Sequence, residues 1–111
     1  MTVSAAVISL QYYTSYKSDL EYSLMEIGQR RAALAYESSA LAISASTDPE
    51  AILSDDPTYQ ALSWQDKQYE QQQKTLETQL SVVNAQIQSY QQLVDNNTKS
   101  NFKINFGSGS S

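Results

Sequence analysis

Apolar residues recur every seven positions along the first part of the chain. One series consists of Tyr13, Leu20, Ile27, Leu34 and Leu41, and a series three residues earlier contains Leu10, Lys17, Leu24, Arg31 and Ser38. Two interleaved series at this spacing are the a and d positions of a coiled-coil heptad. The pattern predicts helix one over about residues 4–46, with one seam that is apolar at d and mixed at a.

The same spacing returns later in the chain. The d-like series is Leu62, Tyr69, Leu76, Val83 and Tyr90, and the a-like series is Tyr59, Asp66, Gln73, Leu80, Ile87 and Val94. This pattern predicts helix two over about residues 57–95. Glu26 with Arg30, and Glu70 with Lys74, have the i,i+4 order that favours an ion pair on a helix surface.

The turn-forming residues between the two patterns predict a bend over residues 47–57. Asp48 precedes Pro49 and Asp56 precedes Pro57. Asp followed by Pro at the first helical position is a helix-start signature. We expect Asp48 to cap a short helical turn and Asp56 to cap helix two. The fold class predicted is therefore all-α, an antiparallel two-helix hairpin with a coiled-coil-like seam.

The seam should bring the apolar positions of the two helices together. Its predicted members are Tyr13, Leu20, Leu24, Ile27, Leu34, Leu41, Leu62, Tyr69, Leu76, Leu80, Val83, Ile87 and Tyr90. Arg31 and Asp66 also occupy seam positions, and antiparallel pairing places them within about two helical turns of each other. An ion pair and a hydrated seam near the bend both remain open.

An extended tail is predicted after helix two, over residues 96–106. Phe102, Ile104 and Phe106 alternate with polar residues, which is a strand pattern. The tail either tucks its aromatic side chains against the hairpin or serves as a docking strand, and the pattern does not separate these. Residues 107–111 form a flexible Gly/Ser end, so one hairpin domain is expected over residues 1–106.

Charge and hydropathy exclude several classes of function. The chain has 111 residues and a net charge of -5, whereas a nucleic-acid-binding protein needs a basic face for the phosphates. No apolar run is long enough for a transmembrane helix. The first residues have no basic region before a short apolar run, so we expect no cleaved signal peptide.

The residues that commonly carry chemistry are missing. The chain has no His and no Cys, which removes the most frequent bases, nucleophiles and metal ligands. Asp55 and Asp56 are adjacent, but their spacing matches no EF-hand loop and capping is the stronger interpretation. We therefore expect no catalytic residue, no cofactor and no metal site.

The strongest functional signal is a second set of apolar residues that the seam cannot cover. Tyrosine occurs eight times, and Tyr and Trp are enriched at protein interfaces because one end is apolar and the other forms hydrogen bonds. The predicted assembly interface consists of Tyr12, Tyr16, Tyr22, Tyr36, Trp64, Phe102, Ile104 and Phe106.

This layout resembles the small needle and filament subunits of bacterial type III secretion systems. The features that carry the resemblance are Asp48-Pro49 and Asp55-Asp56-Pro57 at the bend, the Gln-rich second helix and the segment from Asn101 to Phe106. The resemblance is architectural and spans the whole layout. It implies a helical hairpin that stacks with copies of itself into a tube.

Two functions are consistent with these features. The first is a self-assembling structural subunit, with the chain itself as partner, in an extracellular or cell-surface bacterial filament. The second is a cytoplasmic coiled-coil chaperone or adaptor that binds a partner helix where Lys17, Arg31, Asp66 and Gln73 leave the seam incompletely apolar.

Overall fold

A computed structural model describes the backbone of residues 2–48, 50 and 52–110, and the side chains of these residues up to Lys99. Helix α1 spans Val3–Ser46, a 3-10 turn spans Leu53–Asp55, and helix α2 spans Pro57–Ser110. The two long helices form an antiparallel hairpin, and the described residues include no strand. The predicted all-α hairpin is confirmed.

Helix α1 begins at a threonine cap that the sequence pattern did not predict. The amide of Ala5 donates to Oγ1 of Thr2 at 3.1 Å, and the amide of Ala6 donates to the carbonyl of Thr2 at 3.0 Å. A side-chain oxygen at this position satisfies one of the free amides of the first helical turn. Helix one therefore starts one residue earlier than expected.

Hydroxyl groups satisfy the carbonyls where α1 ends. Ser46 Oγ donates to the carbonyl of Ile43 and Thr47 Oγ1 donates to that of Ser44, each at 2.7 Å. The last four carbonyls of a helix have no partner within the helix. These side chains take up two of them immediately before Asp48, where the following proline disfavours helical backbone.

Both predicted cap residues accept an amide two positions later in the chain. Asp56 Oδ1 accepts the amide of Thr58 at 2.8 Å, at the start of α2. Asp48 Oδ1 accepts the amide of Glu50 at 3.0 Å. Positions 49 and 51 lie outside the described residues, so the short helical turn expected after Asp48 stays a prediction.

Helix α2 continues past the predicted end at about Asp95. Residues 96–99 are helical, and α2 runs to Ser110, so the predicted extended tail over residues 96–106 is wrong. No Pro or Gly lies between Thr58 and Phe106, and extending an existing helix avoids the cost of nucleation. Val94 and Asn97 are half-buried, which continues the seam spacing.

Packing divides the chain into two units, Met1–Glu21 with Gln79–Ser111, and Tyr22–Thr78. In the first unit Ala6, Leu20 and Val83 are buried. The rings of Tyr13 and Tyr90 stack with their centroids 5.6 Å apart. Each fully buried aliphatic side chain contributes about 1.5–3 kcal/mol, and Leu80 and Ile87 are half-buried in the same unit.

The second unit contains the bend and the adjoining arms of both helices. Ile27, Leu34 and Leu62 are its buried side chains. The predicted seam residues Leu24, Leu41, Tyr69 and Leu76 are half-buried here. All thirteen predicted seam residues are thus buried or half-buried across the two units.

Candidate assembly surface

The side of α1 opposite the seam carries large apolar side chains in the second unit. We call this surface the outer face of α1; it consists of Tyr22, Met25, Gln29, Ala32, Tyr36, Ser39 and Ile43. These residues alternate at spacings of three and four, which aligns them on one side of a helix. Tyr36 is 77% exposed and Ile43 is 69% exposed. An apolar stripe exposed to this degree is typical of an interaction surface.

A separate aromatic group lies on α1 in the first unit. The rings of Tyr12 and Tyr16 stack at 6.4 Å, and Tyr12 meets Tyr13 edge to face at 5.2 Å. Tyr13 in turn stacks on Tyr90 in the seam. Aromatic pairs of these geometries are favourable beyond their buried area. This group therefore connects the exposed surface of α1 directly to the packing between the helices.

The outward side of α2 is more polar. Its exposed large apolar residues among those described are Trp64, Val82 and Leu93, and they are separated along the helix by glutamine, serine and threonine. The exposed apolar surface is therefore concentrated on α1. Sequence spacing alone shows this difference, because the positions opposite the seam are readable from the heptads.

A polar layer crosses the seam of the second unit. Arg31 Nε donates to Asp66 Oδ1 at 2.9 Å, its Nη2 donates to Oδ2 at 3.3 Å, and its Nη1 donates to Gln73 Oε1 at 2.7 Å. The hydrogen bond from the guanidinium, assisted by its charge, lowers the pKa of the Asp66 carboxyl below its usual value. The same contact raises the pKa of Arg31. The Arg31–Asp66 pair left open by the sequence is therefore formed.

A groove of about 560 Å³ adjoins this polar layer. Small residues of α1, including Gly28, Ala32 and Ala35, form one wall, and Tyr59 and Ser63 belong to the other. Small side chains therefore leave open space beside the polar layer.

The structure also places the other residues predicted from spacing. Glu70 and Lys74 form the expected ion pair at 3.3 Å. Arg30 instead lies over the ring of Tyr69, with its guanidinium carbon 5.9 Å from the centroid. Among the described side chains, Glu26 is not within ion-pair distance of it. At this distance the electron-rich face of the ring attracts the guanidinium.

The predicted interface residues fall into two groups. Tyr12, Tyr16, Tyr22, Tyr36 and Trp64 are all exposed. The side chains of Phe102, Ile104 and Phe106 lie outside the described residues. Ile8, at 66% exposure, and Ile52, at 63%, were missed as surface residues. For Ile8 the signal was available, because it lies two heptads before Tyr22 at the position opposite the seam.

Acidic side chains do not cluster in the part of the chain that the structure describes. No three acidic side chains there lie close enough together to hold a metal ion. Across those same residues, neither helix has a stretch that is long and apolar enough to cross a bilayer. The chain matches no protein-family model, no curated protein and no solved structure.

Proposed function

We propose that this chain is a non-catalytic structural subunit that assembles with copies of itself into a bacterial filament or secretion-type needle. The observation that carries the proposal is the outer face of α1, where Tyr22, Met25, Tyr36 and Ile43 are each more than half exposed. Within the described residues, no element packs over these side chains. The resemblance to needle and filament subunits gives the proposal its filament form.

The number of uncovered apolar side chains supports assembly. Among the described residues, eleven large hydrophobic side chains are exposed, whereas six apolar side chains are buried. Seven of the eleven lie on α1. A concentration of exposed apolar side chains on one helix is typical of a surface that another protein covers.

Charge on the surface is compatible with close contact between copies. Four acidic residues, Asp48, Glu50, Asp55 and Asp56, lie at the bend, while acids and bases are balanced along the described helices. The net charge of -5 is therefore largely confined to one end of the second unit. Like charges repel over about 8–10 Å at physiological salt, so helix faces away from the bend approach each other without a large penalty.

The test combines light scattering over a concentration series with negative-stain images of the same samples. Regular polymers that grow with concentration are the expected result. Tyr36→Gln should raise the concentration needed for assembly, whereas Gln71→Ala, at the corresponding outward position of α2, should leave it unchanged. A wild-type chain that stays monomeric at high concentration would overturn the proposal.

The second candidate is a chaperone or adaptor that binds one helix of a partner. The groove of about 560 Å³ beside the Arg31–Asp66 layer favours this function, because a partner side chain could enter where the seam is unfilled. Ser63→Trp would fill the groove. Loss of a stoichiometric partner in this variant, from a chain that is otherwise monomeric, is the result expected for an adaptor.

A further inference from the structure

Four tyrosine rings form a continuous series from the surface of α1 to the packing between the helices. Tyr16 stacks on Tyr12 with the ring centroids 6.4 Å apart, and Tyr12 meets Tyr13 at 5.2 Å. Tyr13 stacks in turn on Tyr90 of α2, at 5.6 Å. All four rings belong to the first unit, and none belongs to the outer face of α1 that carries the proposed function.

We propose that Tyr13 and Tyr90 are a site of oxidative cross-linking, at which a one-electron oxidant driven by hydrogen peroxide joins the two rings by a carbon–carbon bond. The chain has no Cys, so a disulfide cannot link its helices. A bond between these tyrosines would link α1 to α2 instead. The inference goes beyond the proposed function and does not depend on it, because both rings belong to the same chain.

The stack of Tyr13 on Tyr90 suits the coupling of two radicals. The ring planes are inclined by only 18°, so the rings meet through their faces. In a phenoxyl radical the unpaired electron is spread over the oxygen and the ring carbons ortho to it, and overlap of the faces brings these orbitals together. Both residues are half-buried, so packing restrains the pair, whereas exposed side chains change rotamer within picoseconds to nanoseconds.

The reaction removes one hydrogen atom from each ring in total. Each ring first gives one electron to the oxidant and its hydroxyl proton to water, and becomes a phenoxyl radical. The two radicals then form a bond between their ortho carbons. Each of these carbons loses its proton to water, and each oxygen regains one, which restores both hydroxyl groups. Hydrogen peroxide accepts the two electrons and the two protons and becomes water.

The exposed end of the series gives a large oxidant access to the pair. A haem peroxidase oxidises rings that it reaches at the protein surface, and Tyr12 is 65% exposed and Tyr16 36%. Electron transfer between aromatic rings in contact is fast. A radical formed at Tyr12 therefore exchanges with Tyr13, and it is trapped where a second radical on Tyr90 couples with it.

Peptide mapping identifies the bond. Trypsin cleaves after lysine and arginine, so Tyr13 and Tyr90 fall on separate peptides, 1–17 and 75–99, and Tyr90 is the only tyrosine of its peptide. After treatment of the dilute chain with a haem peroxidase and hydrogen peroxide, mass spectrometry should find these two peptides joined, with two hydrogen atoms fewer than their sum. Absence of this product would overturn the inference.

Phenylalanine variants show which rings couple. Tyr13→Phe and Tyr90→Phe should each abolish the product, because phenylalanine keeps the ring but forms no phenoxyl radical, and circular dichroism checks that each variant is helical. Tyr22→Phe, an exposed position outside the series, should leave the yield unchanged. The double variant Tyr12→Phe with Tyr16→Phe should keep the product and lower its initial rate several-fold. A product that survives Tyr13→Phe would show that another ring couples with Tyr90, and an unchanged rate in the double variant would show that the exposed rings are not the route.

A mixture of isotopically labelled and unlabelled chains separates this inference from the proposed function. Both peptides of each cross-link should come from the same form of the chain. The cross-linked chain should keep the size of a monomer, and its Tm should rise by on the order of 10 °C, because the bond restricts the unfolded chain. Cross-links of mixed labelling would place the coupling between copies, which overturns the inference while agreeing with assembly. A same-chain cross-link in a protein that stays monomeric at high concentration supports the inference and overturns the proposed function.

Discussion

Replacing Gly28 with Ala should stabilise the hairpin. Gly28 lies in the middle of α1, and no described residue has a positive φ, so its backbone suits any L-residue. A Cβ built at this position meets nothing within 4 Å. The new methyl group therefore causes no clash and gains no burial. What remains is the helix propensity difference, about 1 kcal/mol in favour of Ala.

The measurement is urea unfolding followed by helical circular dichroism, at a protein concentration low enough to keep the chain monomeric. Gly28→Ala should raise the free energy of unfolding by about 0.5–1 kcal/mol, which corresponds to about 4 °C in Tm. Ala35→Gly is the matched reverse change, one heptad later on an exposed position of the same helix. It should lower stability by a similar amount.

The comparison between the two variants decides the argument. If Ala35→Gly costs about 1 kcal/mol and Gly28→Ala gains nothing, position 28 is not open, and an unaccounted neighbour requires the glycine there. If both variants leave stability unchanged, this part of α1 is not helical in solution. Either result refutes the reasoning from an open helical position.

Three further changes use neighbouring residues as controls. Val83→Ala should destabilise the chain by about 1–2 kcal/mol, because Val83 is only 3% exposed. Val82 is 56% exposed, so Val82→Ala should give a small gain in stability from helix propensity. Equal urea midpoints for the two variants would contradict the assigned seam. Asp56→Ala should lower the free energy of unfolding by about 1 kcal/mol, because the helix cap is lost. Asp55→Ala should have little effect, because the carboxylate that accepts an amide of α2 is that of Asp56. The ion pair with Arg31 lowers the folded-state pKa of Asp66 from its usual 3.8. The stabilisation of the folded state by the Asp66 carboxylate is therefore present above that pH, and it is lost as the pH falls through the lower folded-state pKa. The urea midpoints of wild type and Asp66→Asn should therefore differ at neutral pH and converge at acid pH. The same difference between the two proteins at both pH values would contradict this assignment.

The heptad pattern predicted the seam because burial follows helical spacing so closely. From Leu20 to Val83 the d-like residues are buried or half-buried, and even the polar a positions Arg31 and Asp66 face one another. Spacing identifies which side of a helix faces its partner. It does not say which polar residues pair, since that depends on the relative level of the two helices.

The C-terminal end of α2 could not be predicted by the same means. The residues from Asp95 to Thr98 have modest helix propensity and suit caps and turns, so the sequence suggested an end. A weak propensity stops a helix only if another conformation is better satisfied. Here α2 is already formed and half-buries Asn97 at the next seam position, so continuing the helix satisfies the backbone at little further cost.

The distribution of apolar side chains bears on the proposed assembly. Among the described residues, six apolar side chains are buried, whereas eleven large ones are exposed. The buried side chains, four on α1 and two on α2, each contribute at most about 1.5–3 kcal/mol, against a conformational entropy cost of about 1–2 kcal/mol for every ordered residue. Binding that occurs only in the folded state adds stability by mass action. The outer face of α1 would therefore serve two purposes, because contacts that join subunits there would also hold each hairpin in its folded form.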